Sequence, residues 1–445
     1  MSAPERFLER LTARRAEDPS WVAARRQAGA ARFEALGFPT RRDEEWKYTD
    51  VRRIAEGDFA LATDAAFDTA RFDEQRLDID AYRLVLVDGV FSAELSRLDG
   101  LPAGVSLEPL STAMAANHEA VGGSLGRLAG VDFSPFTALN TAFAEEGVIV
   151  RLAPGTVVDK PIYVLLLSRA NERPVMSHPR VLIEAGARAE ATIVEHYSGE
   201  PDAANFTNVV TEVLLDRGAI VDHYKLQEAA LTDLHVASIH VDQGRDSCFN
   251  SYNLNLGGAL VRTDLVTDLN AEGAEAAYNG LFFVQGRQHV DNHTLVNHNA
   301  PRTFSNENYK GVLDDRSRGV FNGKVFVKKD AQQIEAYQNN ANLLLSDRAE
   351  IDTKPELVIY ADDVKCSHGA TTGQLDEEAV YALRSRGIDE PMARALLTLA
   401  FVGEVMDKVR LNIIAERVER AVAGRLPDRF NLADLVETAE AIQEA

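Results

Sequence analysis

A chain of 445 residues is too long for one small compact domain, and 45% hydrophobic with 26% charged residues is the composition of a soluble protein with a large buried core, which excludes a disordered chain. The formal charge of −22, from 69 acidic against 47 basic residues, repels phosphate backbones and anionic lipid, so nucleic acid and membrane surfaces are not expected partners. Two cysteines, Cys248 and Cys366, behind an N-terminus with no apolar leader (Met1-Ser2-Ala3-Pro4-Glu5-Arg6) argue against a secreted disulfide framework and for a cytoplasmic location. The most apolar stretch, Ala395 to Met406, is interrupted by Glu404 and too short to span a bilayer.

Residues 1–54 read as helical, with Phe7, Leu8 and Leu11 at helical spacing and alanines through Ala23–Ala35, and Gly37 and Pro39 as the stop. The charged, aromatic run Arg41-Arg42-Asp43-Glu44-Glu45-Trp46-Lys47-Tyr48-Thr49 follows, and residues 55–80 are read as loop. From Tyr82 the texture changes to β-branched runs such as Leu84-Val85-Leu86-Val87, interrupted by a helical patch over about 107–145. Beyond Pro161 strands and turns predominate up to about residue 360. Turn signals at Gly155, Gly186, Gly218, Gly244, Gly273, Gly319 and Arg348 recur roughly every thirty residues with one long gap, the pattern of coils that each need a neighbour to bury their apolar face. Asparagines (Asn250, Asn253, Asn255, Asn292, Asn297, Asn299, Asn306, Asn308) suit left-handed corners and hydrogen-bonded ladders. A β-sandwich is the competing architecture.

After Asp376 helices return. Asp376 caps the first, which ends near Gly387; Asp389 caps a second, with Pro391 in its first turn and Leu396, Leu399, Val402, Met406, Val409 and Ile413 as its apolar stripe until Gly424 and Pro427. A last helix is expected from about Leu432. The resulting division is an N-terminal helical domain over 1–80, a β core over 81–375 and a C-terminal helical domain over 376–445.

Three side-chain groupings could carry chemistry. In an extended Val364-Lys365-Cys366-Ser367-His368, Cys366 and His368 project to one side, and a thiolate with an imidazole suits iron or zinc. Two ligands fall short of the roughly four a cluster or structural zinc uses, so a partner would supply the others; the plain alternative is a packed cysteine beside a surface histidine. His289, Asp291 and His293 share a face by the same alternation, as either a metal face or a polar ladder. Cys248 reads as a small buried apolar residue, and the pairs Asp314-Asp315 and Asp362-Asp363 as turn residues, since adjacent residues on a strand face opposite ways. The chain contains no G-x-x-x-x-G-K-[ST] loop and no H-E-x-x-H, so no P-loop ATPase site is expected.

A long collinear stretch resembles the SufB/SufD scaffold proteins of the SUF iron–sulfur assembly system. It runs from Gln288-His289-Val290-Asp291, through Lys310–Asp315, Gly319–Lys324 and Gln338–Ser346, then past Cys366 and His368 to Tyr381–Ile388. The resemblance implies a right-handed parallel β-helix flanked by helical domains. Arg42–Thr49 is similar to the SufD branch, and the scarcity of cysteines argues against a SufB-type sulfur acceptor. It further implies His368 as the cluster-site residue with Cys366 beside it at a subunit interface, and C-terminal helices that dock the SufC ATPase. SufB would be the other scaffold partner, and a homodimer would be the state of the chain alone. The cofactor implied is a nascent iron–sulfur cluster held transiently with the partner, with none on the isolated chain. The competing functions are a β-helical carbohydrate-active enzyme and a structural adaptor that never ligates metal.

Overall fold

The structure, a computed structural model, describes residues 2–13, 19–116 and 119–426. Strands between Tyr82 and Gly373 wind into a parallel β-helix with two long walls. Neighbours within a wall come from successive coils: Leu234 pairs with Leu260, Leu260 with His289, His289 with Arg318 and Arg318 with Glu350 on one wall. On the other, Ile220 pairs with Cys248, Cys248 with Glu275, Glu275 with Phe304 and Phe304 with Glu335. These parallel pairings one coil apart exclude the β-sandwich, whose neighbouring strands are antiparallel. Among the described residues antiparallel strand pairs occur only at the start, where Tyr82–Val87 meets Val90–Phe91 and Val105–Pro109 meets Gly147–Leu152.

One corner of every coil is turned by a left-handed residue: Arg188, Gly218, Asp246, Gly273, Arg302 and Gln333 have φ of 58°, 69°, 55°, 75°, 55° and 60°. Each bonds through its backbone N–H to the next coil, as in Gly218 N to Arg245 O at 2.8 Å. Two of these six corners are glycine, which is why glycine spacing alone left a gap. Gly319 is not a turn but an inward strand position packed against Phe282 and Ile351, and the turn preceding it is carried by Asp315. No asparagine occupies a left-handed corner among the described residues. Asn253 and Asn255 donate across the interior to Asn292 Oδ1 on the opposite wall at 2.9 and 3.1 Å, and Asn299 donates to Asn270 at 2.8 Å in an outer ladder. Both arrangements pair side chains and are independent of backbone handedness.

Helix Ser20–Leu36 ends at Gly37 (φ 69°) and lies along helix Pro135–Phe143 so closely that a Cβ on Gly29 would strike the backbone of Ala138 and Ala142. Residues 55–80 are not all loop: Asp68 caps a short helix, Thr69–Gln75, that buries Phe72. At the other end Asp376 and Asp389 cap helices Glu377–Arg384 and Glu390–Met406 as the sequence predicts. The second helix stops at Met406, and a separate helix, Asn412–Ala423, carries the rest of the stripe. The break lets both pieces lie on one wall of the β-helix, where Val402, Val405, Ile414 and Val418 cover Tyr224, Leu254, Leu281 and Phe283. Lys310 Nζ bonds Phe401 O at 3.1 Å and Glu404 at 2.6 Å, and Arg425 bonds Phe283 O at 3.0 Å. The helix expected from Leu432 lies outside the described residues.

Candidate metal site at the open end of the β-helix

The last coil is built from strands Glu350–Ile359 and Val364–Gly373, one terminating each wall. Among the described residues each pairs on one side only, with Arg318–Val327 and Ile334–Leu343 respectively, so two ten-residue edges face outward. Between these edges the interior of the coil opens as a mouth.

Cys366 and His368 both point into it. Their ladder neighbours on the preceding coil are Ala336 and Gln338, which are 0% and 3% exposed, and side chains paired across parallel strands share a face. Cys366 is half-buried on the apolar cluster of Val325, Val327, Ile334 and Ala336, and burial pushes its thiol pKa up. A protonated, partly covered thiol is a poor nucleophile; it would become a ligand on losing its proton to a metal. His368 lies further along the mouth and is exposed. Outside the rim, Lys365 bonds Glu335 at 2.7 Å, leaving the inner face without a competing cation contact from that lysine.

The second grouping does different work. Asp291 is 0% exposed and accepts Arg262 Nη1 at 2.7 Å; His293 Nε2 lies 3.0 Å from its other oxygen. Thr49 donates to Asp291 and lies 2.8 Å from His289 Nε2, while Arg262 covers the ring of Trp46 at 4.2 Å and bonds Glu45 O at 2.7 Å. These contacts bind the segment around Trp46 to the outer face of one wall. The Arg262 guanidinium helps hold the Asp291 carboxyl far below its ordinary range against the opposing pull of burial. Asp291 and Glu45 together raise His293 to about 9, again against burial. Asp291 and His293 thus form a charged latch, with His289 beside them held towards its neutral form by burial, and among the described residues no group of three or more His, Cys, Asp or Glu side chains is disposed to hold a metal ion.

Cys248 sits on the outer face of its strand and is half-buried, 3.7 Å from Asn250 Oδ1, so it is not the interior apolar residue its neighbours suggested. Asp315 takes a left-handed turn conformation (φ 54°) and Asp363 O accepts the corner N–H of Gln333, which places both acidic pairs in turns. Sequence reasoning passed over Gln338 and Glu307, which lie directly beneath His368 in the ladder. Their signal was the inward parity they share with His368 across aligned coils.

The same geometry can be set beside known proteins. Residues 167–401 match the SUF system FeS cluster assembly SufBD core domain, and residues 6–164 match the SufBD protein N-terminal region. The chain is 34% identical to the iron–sulfur cluster assembly SufBD family protein slr0076 of Synechocystis, over 92% of each chain. It is 31% identical to the iron–sulfur cluster assembly protein SufD of Escherichia coli, over 88% of this chain and 90% of that one. Similarity to the chloroplastic protein ABCI7 of Arabidopsis thaliana is 28%, over 90% and 85% of the two chains.

Proposed function

Since the chain belongs to the SufBD family of iron–sulfur cluster assembly proteins and is SufD-like, we propose that it is the scaffold subunit that closes its open coil against a SufB-type partner and lends His368, with Cys366 beside it, to a nascent cluster between them. The observation that carries this reading is the mouth itself: a cysteine and a histidine face inward between two unpaired strand edges. Edge strands left this long are normally blunted or covered, and a second scaffold stacked on them would satisfy their backbone groups. One chain brings two ligands and a cluster uses about four, so the site is complete only with the partner. A mixed thiolate and imidazole set also suits a cluster that must be passed on.

The ATPase of the complex is assigned to a SufC-type partner docked on the C-terminal helices. In helix Glu377–Arg384, Tyr381 is 71% exposed while Val380 is buried, so this helix offers an aromatic outward. A cytoplasmic location is part of the same proposal. Among the described residues no helix is long and apolar enough to cross a membrane.

The test is anaerobic purification of the heteromer co-expressed with SufB-type and SufC-type partners, followed by iron and sulfide analysis. His368→Ala should lower iron per heteromer while the subunits still assemble, and Cys366→Ser should have a smaller effect. Normal iron content in the His368 variant would favour the structural adaptor, in which the mouth only packs.

A further inference from the structure

Four residues on successive coils form one inward row: Tyr278 pairs with Glu307, Glu307 with Gln338, and Gln338 with His368. Each step is the spacing of neighbouring strands, about 4.8 Å, so the side chains stack towards the mouth. Glu307 is 0% exposed, and its carboxylate accepts from Thr294 Oγ1 at 2.5 Å and from Gln338 Nε2 at 3.3 Å. With its nitrogen committed to Glu307, the Gln338 amide has its oxygen left over. That oxygen is buried and has no partner. A buried acceptor without a donor costs about 1–3 kcal/mol, so the position calls for one. The residue in register on the one further coil is His368. Across the mouth, a Cβ on Gly323 would overlap the Gln338 amide nitrogen, so glycine there is what leaves room for the amide in this orientation.

We propose that Gln338, anchored by Glu307, is a positioning residue that accepts a ring N–H of His368 and so presents the other ring nitrogen, unprotonated, to the cluster. An imidazole that ligates metal is commonly oriented by a hydrogen bond from its second nitrogen, which selects the tautomer and turns the ring. Here an amide supplies the acceptor and a buried carboxyl holds the amide. The importance of this hydrogen bond for cluster loading rests on the reading of His368 as a ligand; the bond itself is inferred from the unpartnered Gln338 oxygen and the register of His368.

The experiment labels the histidines of the isolated chain with 15N and identifies the His368 ring signals by their loss in His368→Ala. In the wild type the two ring nitrogens should be distinct, one protonated and one not. Gln338→Leu should move them towards tautomer-averaged positions without lowering the melting temperature enough to unfold the chain at the temperature of measurement. Gln338→Asn, which keeps an amide oxygen beneath His368, should move them less than Gln338→Leu does. In the heteromer, Gln338→Leu should reduce iron per complex towards the His368→Ala level with assembly intact. His368 ring signals that are the same in wild type and folded Gln338→Leu would overturn the proposal. Normal iron in His368→Ala would remove the ligand reading while leaving the ring-nitrogen result to judge the hydrogen bond by itself.

Discussion

His293 shows how one side chain changes meaning once its neighbours are known. Beside Asp291 and Asn292 in the sequence it resembles part of a metal face; in the fold it is a buried cation paired to Asp291 at 3.0 Å and near Glu45 at 3.6 Å. Its pKa in the folded chain, about 9, lies above the ordinary histidine value. The charged form is therefore the one the fold prefers. Its stabilisation is fully present below about pH 6.5 and is lost as pH rises through about 9. Melting temperature followed from pH 6 to 10 should fall across that window, and His293→Gln should flatten the fall; an unchanged slope in the variant would place the titration elsewhere. The legible part at this scale was parity along a strand, which correctly joined Cys366 to His368. What sits above each face was not legible, because Thr49 and Trp46 reach the latch from over two hundred residues away.

Among the elements, the coil corners and the C-terminal helices each make a prediction. Gly218 holds a left-handed corner at φ 69°, and a Cβ there would lie 3.3 Å from Arg188 Cγ on the preceding coil. Gly218→Ala should destabilise by about 1–2 kcal/mol, read from urea unfolding, because an L-residue pays for that conformation. The C-terminal helices look separable in sequence, where their periodicity differs from that of the strands. In the fold they cover a wide apolar wall that includes Tyr224, Leu281 and Phe283. Deleting everything from Asp376 onward should therefore reduce soluble yield and melting temperature instead of leaving an intact β-helix. A monomeric, fully stable truncation would contradict the packing described here. For partner docking, Tyr381→Asp is the cleaner variant, since its side chain is exposed.

For the whole molecule, the open end decides what the β-helix can do. Among the described residues the solenoid ends on Glu350–Ile359 and Val364–Gly373, which present two strand edges. In a parallel pair consecutive backbone N–H groups point to opposite sides, so of Ala370→Pro and Thr371→Pro one should spare the inner ladder and remove an outward donor. That variant should keep its melting temperature and lose association with the scaffold partner. If both retain the partner at normal strength, pairing along this edge is wrong. The chain carries no phosphate-binding loop, so ATP turnover by the pure subunit would also contradict the scaffold reading.

The sequence marked out a mainly β core of repeated coils, with a sandwich left open until the parallel pairing between coils is seen. It determined the helix starts at Asp376 and Asp389, where local capping chemistry suffices. It also determined that Cys366 and His368 share a side, since strand geometry has a period of two. Which coil is last among the described residues, and that this side opens into a mouth, came from the tertiary structure. It alone separated the latch at His289, Asp291 and His293 from a metal site and stacked Gln338 and Glu307 beneath His368. Those outcomes depend on register between coils about thirty residues apart, from Glu307 to Gln338 and on to His368. They depend too on long-range docking of the N-terminal segment against a wall of the β-helix. Neither leaves a mark in local composition, because the partner that satisfies each buried group lies on another coil.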